Sequence, residues 1–119
     1  MPANSPISND QFNTLRIQVT VALTELKERI DEARAVHDGP LVTRLLGQRI
    51  AIMERAHEVR QAEIAYLNSS LAPKDAVGQL FNAVKYANRG IQELQNLVTA
   101  LTGATRIVNL LARLVSLFP

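Results

Sequence analysis

Residues 75–118 read DAVGQLFNAVKYANRGIQELQNLVTALTGATRIVNLLARLVSLF, and this stretch decides the fold class. Val77, Val84, Ile91 and Val98 recur every seven residues. Leu80, Ala87, Leu94, Leu101, Val108 and Val115 recur every seven between them. Apolar residues at these two heptad positions make a seam along one side of a helix, and such a seam is stable only against other helices, as in a coiled coil. The chain is therefore expected to be all-α.

Working back from this stretch, two more helical segments appear. Ser8-Asn9-Asp10-Gln11 has the form of a capping box, in which a hydroxyl at the N-cap and an amide three residues on satisfy the first free N–H groups. A helix is expected from about Asn9 to Val36. Phe12, Leu15, Val19, Ala22, Leu23, Leu26, Ile30 and Ala33 fall in one stripe at 3.6 residues per turn, while Ile17 and Val21 lie off it. His37-Asp38-Gly39-Pro40 breaks the pattern. Gly39 suits the left-handed residue that ends a helix, and Pro40 suits the first turn of the next. A link this short implies an antiparallel hairpin.

The second helix is expected from about Pro40 to Asn68. Its apolar face is broad and is interrupted by Arg49, Arg60 and Glu63. Its back carries Gly47, Ala51, Ala62 and Ala65, small residues that would admit another helix closely. Asn68 to Pro73 forms the second link, and Pro73 and Asp75 suit a third helix start. Two helices of about 28 residues span about 42 Å each, and a third of equal length would end near Thr102. Thr102-Gly103 is the weakest point of the seam, since Gly costs about 1 kcal/mol inside a helix.

Past Gly103 the pattern changes side. Arg106, Asn109, Arg113 and Ser116 form a narrow polar strip, and aliphatic residues cover the remainder. In a straight helix that strip would fall near the line of Val77, Val84 and Ile91. The chain is thus expected to kink or turn near Gly103. The sequence divides into a loose arm (1–8), a helical bundle (9–102) and an apolar amphipathic helix (103–119). The expected architecture is an antiparallel three-helix bundle, a hairpin plus a long C-terminal helix, with a kinked or separate short fourth helix.

Composition bounds the function. The 119 residues suffice for one core, and 47% apolar content is that of a globular chain. Aromatics are 4%, so the core must be aliphatic. The absence of Cys removes disulfides, thiolate metal sites and thiol nucleophiles. The net charge of +2 lacks the basic stripe of a nucleic-acid binder, so nucleic acid is not an expected partner. The N-terminus has neither a basic region nor an apolar one, so no secretory signal is read. No apolar run reaches the roughly 18 residues of a membrane span. A cytoplasmic protein is the expectation, with signal-less export left open.

No nucleophile elbow, P-loop, dinucleotide fingerprint or zinc-finger spacing occurs, so neither catalysis nor a cofactor is expected. Glu54 and His57 stand one helical turn apart, the spacing of a carboxylate–histidine metal pair, but the spacing occurs once and reads as a surface pair. Arg49, Arg60 and Glu63 read as a register-setting ion-pair group, to be met across the hairpin by Glu25, Glu28 or Glu32. The tail joins Arg106 and Arg113 to an aliphatic face of Ile107, Leu110, Leu111, Leu114 and Phe118. These seven residues are the expected partner contacts. The leading reading is a non-catalytic interaction or oligomerisation module working by helix–helix packing, with itself or another helical protein as partner. The alternative is a small effector-like protein that meets a membrane through the cationic-apolar tail.

Overall fold

The structure is a computed structural model that describes residues 5–67 and 76–116, with side chains described over 11–65 and 78–116. The Ser8 cap, the Pro73 helix start and Phe118 lie outside the described side chains. Four helices make up the described chain: α1 (Ser5–Ala35), α2 (Gly39–Leu67), α3 (Ala76–Leu94) and α4 (Ala100–Ser116). The all-α expectation agrees with this. The three long helices with an extension become two long helices and two shorter ones, of 31, 29, 19 and 17 residues.

α1 packs broadly on α2 and α3, and α4 packs broadly on the same two helices. α1 and α4 meet only marginally, so they lie on one diagonal of the bundle, and α2 and α3 lie on the other. Register follows from a few polar contacts. The Gln18 amide nitrogen donates to the Val84 carbonyl and to Asn88 Oδ1, each at 2.9 Å. Eleven residues further along α1, Arg29 Nη1 donates to the Leu94 carbonyl at 3.2 Å. Both contacts rise together, so α1 and α3 run parallel, whereas the two short links make α1/α2 and α3/α4 antiparallel.

The first link is a Schellman turn. Asp38 N donates to the Ala33 carbonyl at 2.9 Å and His37 N to the Arg34 carbonyl at 3.0 Å. The left-handed residue is His37, with φ of 59°, and not Gly39, which opens α2. The reason is Asp38: its Oδ1 accepts from Leu41 N at 3.1 Å, so it is the N-cap of α2, and the reversal must precede it.

The second link corrects the expected break. α3 ends at Leu94, eight residues short of Thr102, and the chain reverses through 95–99. Asn96 Oδ1 accepts from Val98 N at 2.9 Å, an Asx turn. Thr99 Oγ1 donates to the Glu93 carbonyl at 2.7 Å, and the Thr99 carbonyl accepts from Gly103 N at 3.0 Å to start α4. Val98, a member of the heptad seam, is 89% exposed in this turn.

Gly103 is buried inside α4 and does not break it. A Cβ on Gly103 would stand 2.6 Å from the Gly90 carbonyl oxygen, and one on Gly90 would stand 2.8 Å from Ile107 Cγ1. The two glycines let α3 and α4 touch backbone to backbone. Ala83, Ala87, Ala100 and Ala104 continue this small-residue seam. The strip on α2 does not serve this purpose, since Gly47 is exposed with nothing near it.

The core is aliphatic apart from Phe12. Leu15, Ala22, Leu26, Ile30 and Ala33 come from α1, Leu45, Ile52 and Val59 from α2, Leu80 and Leu94 from α3, and Ile107, Leu111 and Leu114 from α4. Each buried Leu or Ile contributes about 1.5–3 kcal/mol. α4 is thus a full member of the core.

Candidate functional site in the groove between α1 and α2

On the outer side of α1 and α2, a groove of about 500 Å³ runs between the two helices. Phe12, Leu15, Val19 and Leu23 form one wall; Met53, Ala56 and Val59 form the other; Leu111 of α4 is at its floor. These residues belong to the edges of the two helical stripes, so the periodicity that builds the core also builds the walls. Arg16, Thr20, His57, Arg60 and Glu63 complete the lining.

Glu63 is the polar centre of the groove. Its side chain is 2% exposed, whereas those of Arg16 and Arg60 are 42% and 51% exposed. Arg16 Nη1 donates to both Glu63 oxygens, and Arg60 Nη1 reaches Glu63 Oε2 at 3.1 Å. Arg16 Nη2 also donates to Asn13 Oδ1. Two guanidiniums against one carboxylate leave a net positive charge at this end. A carboxylate held by two arginines is adequately solvated by them, which is what allows Glu63 to be buried.

The expected group of Arg49, Arg60 and Glu63 is brought together in part. Arg60 and Glu63 pair, one turn apart. Arg49 lies about three turns away along α2, half-buried, with its Nε buried and unpaired among the described residues. The expected carboxylates of α1 do not cross the hairpin, because Arg29 holds them on its own helix. It contacts Glu25 and Glu28 at 3.4 Å and pairs with Glu32. The cross-helix pair has the opposite sense, an Arg on α1 with a Glu on α2. Arg16 was not singled out by sequence. The signal was present: folding the chain about residues 37–38 brings residue 16 to about one turn from Glu63.

The expected contact residues of α4 divide. Ile107, Leu111 and Leu114 are in the core. Arg106 is tied to Glu93 of α3, through Nε at 2.7 Å and Nη2 at 3.1 Å. This two-pronged hydrogen bond from Arg106 is the main reason the Glu93 carboxyl lies below its ordinary pKa. Leu110 is half-buried and Arg113 exposed, and with Tyr86 of α3 they line a shallower groove on the α3/α4 side. Glu54 and His57 are both exposed on α2. Among the described residues, no group of three or more metal-ligating side chains stands together.

Large apolar side chains remain outside the core. Ile17 is 65% exposed, Phe81 60% and Val21 39%, and Val21 lies one turn from Ile17 on α1. The Gln18–Asn88 contact sets their register: Phe81 sits within about two turns of Ile17 on the same α1/α3 flank. On α2, Ile50, Met53 and Ile64 are also exposed. No helix among the described residues is long and apolar enough to cross a membrane. Comparison with known protein families, with curated proteins and with solved structures finds no match to this chain.

Proposed function

We propose that this protein is a non-catalytic helical interaction module, acting by helix–helix packing on a second copy of itself or on another helical protein. The observation that carries the reading is the α1/α3 flank. Ile17, Val21 and Phe81 place two aliphatic residues and an aromatic in water on this flank. Clustered apolar surface of this kind is what partner helices cover. α4 takes part through its outward residues: Leu110 and Arg113, beside Tyr86, are the portion of the expected contact set that a partner reaches without opening the bundle. Ile107, Leu111 and Leu114 support the contact from within by holding α4 in place. A cytoplasmic site of action belongs to the same reading.

Membrane association through α4 is the weaker alternative, because its apolar face is already occupied by α2 and α3. The test is sedimentation equilibrium across the micromolar range. The wild-type chain is expected to weigh more than its 13.1 kDa monomer. The double variant Ile17→Lys, Phe81→Lys is expected to return to the monomer mass with unchanged helicity. A wild type that stays monomeric throughout removes self-association, and a variant that stays oligomeric removes the α1/α3 flank.

A further inference from the structure

The groove between α1 and α2 has a property that helix–helix packing does not require. It is an apolar trough, floored by a third helix, that ends in a polar cluster with spare hydrogen-bond donors. Arg60 reaches Glu63 through Nη1 and its side chain is 51% exposed, so the rest of its guanidinium is open to the groove. The buried carboxylate draws both guanidiniums to this end of the groove before any ligand arrives. Pockets of a few hundred Å³ with apolar walls and a few convergent polar groups are the usual form of small-molecule sites between helices.

We propose that this groove binds one molecule of a single-chain amphipathic carboxylate, a medium-chain fatty acid in chemical class. Its head would accept hydrogen bonds from Arg60, with the charge of Arg16 beside it, and its tail would run along Val19, Leu23, Met53 and Ala56. Charge selects the head. Arg16, Arg60 and Glu63 sum to one positive charge, which a monoanion neutralises and a doubly charged phosphate would overshoot. Planar guanidinium donors also match a planar carboxylate. Size selects the tail. The rise from Arg16 to Leu23 is about 10 Å. A volume of 500 Å³ equals about sixteen water-sized volumes of ~30 Å³. A methylene is of similar size, so a ten- to twelve-carbon chain fits with room for its head. The site is separate from the Ile17–Phe81 flank, so it stands or falls independently of self-association.

The experiment is isothermal titration of the full chain with sodium decanoate and laurate below micelle formation, with dodecanol as the neutral comparison. Saturable one-to-one binding of laurate is expected, with dodecanol weaker by about tenfold, the worth of a charge-assisted hydrogen bond. Arg60→Gln is expected to weaken laurate by a similar factor and leave dodecanol unchanged. Ala56→Phe, which fills the tail channel, is expected to abolish binding of both while helicity is retained. The proposal is overturned if no chain from octanoate to myristate binds saturably, or if dodecanol binds as well as laurate. It is equally overturned if neither variant weakens laurate, or if phosphatidylglycerol vesicles capture the protein while free laurate does not.

Discussion

Replacing Gly103 by Ala tests the α3/α4 contact on which the fold depends. In most helix interiors this substitution stabilises, by about 1 kcal/mol, because Gly is the poorer helix former. Here the new Cβ would stand 2.6 Å from the Gly90 carbonyl oxygen, 2.8 Å from Glu93 Cβ and 3.0 Å from Leu94 N. Two of these partners are backbone atoms, which cannot swing aside as a side chain can. Restoring ordinary contact requires α4 to move outward by roughly 0.8 Å, and a gap of that size forfeits a quarter to a half of the dispersion energy of the contacts it opens. Ala87, Ala100, Ala104 and Ile107 are the residues that lose it. Overpacking of this kind costs about 1–3 kcal/mol, so after the gain in helix propensity the net loss is about 1 kcal/mol. The control is Gly47→Ala, in mid-α2 with nothing within 4 Å, expected to stabilise by about 1 kcal/mol. The assay is urea unfolding followed by circular dichroism. With a slope of about 1–3 kcal/mol/M, the two midpoints should shift in opposite directions by several tenths of a molar or more. A Gly103→Ala midpoint that rises as far as that of Gly47→Ala would refute the close approach of α3 and α4.

Three further outcomes are expected. His37→Gly relieves a left-handed non-glycine residue in the Schellman turn and should raise stability by about 1 kcal/mol, seen as a melting point about 4 °C higher. Arg16→Ala with Arg60→Ala strands a buried carboxylate and should cost about 3 kcal/mol or more, whereas Glu63→Met frees two hydrated arginines and should stay within about 1 kcal/mol of wild type in urea unfolding. Arg106→Gln should make stability less dependent on acid. Because Arg106 lowers the Glu93 pKa in the folded state, the contribution of the pair is present above the ordinary carboxylate value of 4.5 and is lost as pH falls through the lowered one. The variant should therefore be weaker than wild type at pH 7, and the gap should close as pH falls below 4.5 and through the lowered pKa; a gap that stays the same throughout would show that the carboxylate is not held by Arg106.

The α1 stripe could be read directly from spacing because every one of its members faces the same side, and all eight are buried or half-buried. The α3/α4 reversal could not be read from the heptads. Leu94 and Leu101 are seven apart, so the seam continues in sequence across a turn that in space sends the chain back on itself. Only Val98, left in water, shows where the repeat lost its meaning. A different signal was available. Asn96 and Thr99 are capping residues, and Gly90 and Gly103 are placed symmetrically about the bond between Asn96 and Leu97. A glycine pair arranged so about polar turn residues implies an antiparallel close approach. Gly103 alone reads as a weak point, and with Gly90 it reads as a contact. In the groove, Arg60 and Glu63 were legible because helical spacing pairs them. Arg16 was not, because its partner is 47 residues away and only the fold makes them neighbours.

The contrast between the two hairpins explains why the groove lies where it does. The α3/α4 hairpin is lined by Ala83, Ala87, Gly90, Ala100, Gly103 and Ala104, and side chains this small leave no room between backbones. The α1/α2 hairpin meets through Phe12, Leu15, Leu23 and Ile52, with two guanidiniums and a carboxylate set among them. A guanidinium cannot be packed against apolar side chains on all sides without losing its hydration, so Arg16 and Arg60 must keep a face toward water, and the helices stay parted where they do. Closing this gap with larger aliphatic residues would add buried area to a core whose one buried aromatic among the described residues is Phe12. The sequence instead places two arginines and a buried carboxylate between α1 and α2. The α3/α4 side of the bundle is closed by small residues in backbone contact, and the α1/α2 side keeps a charged opening.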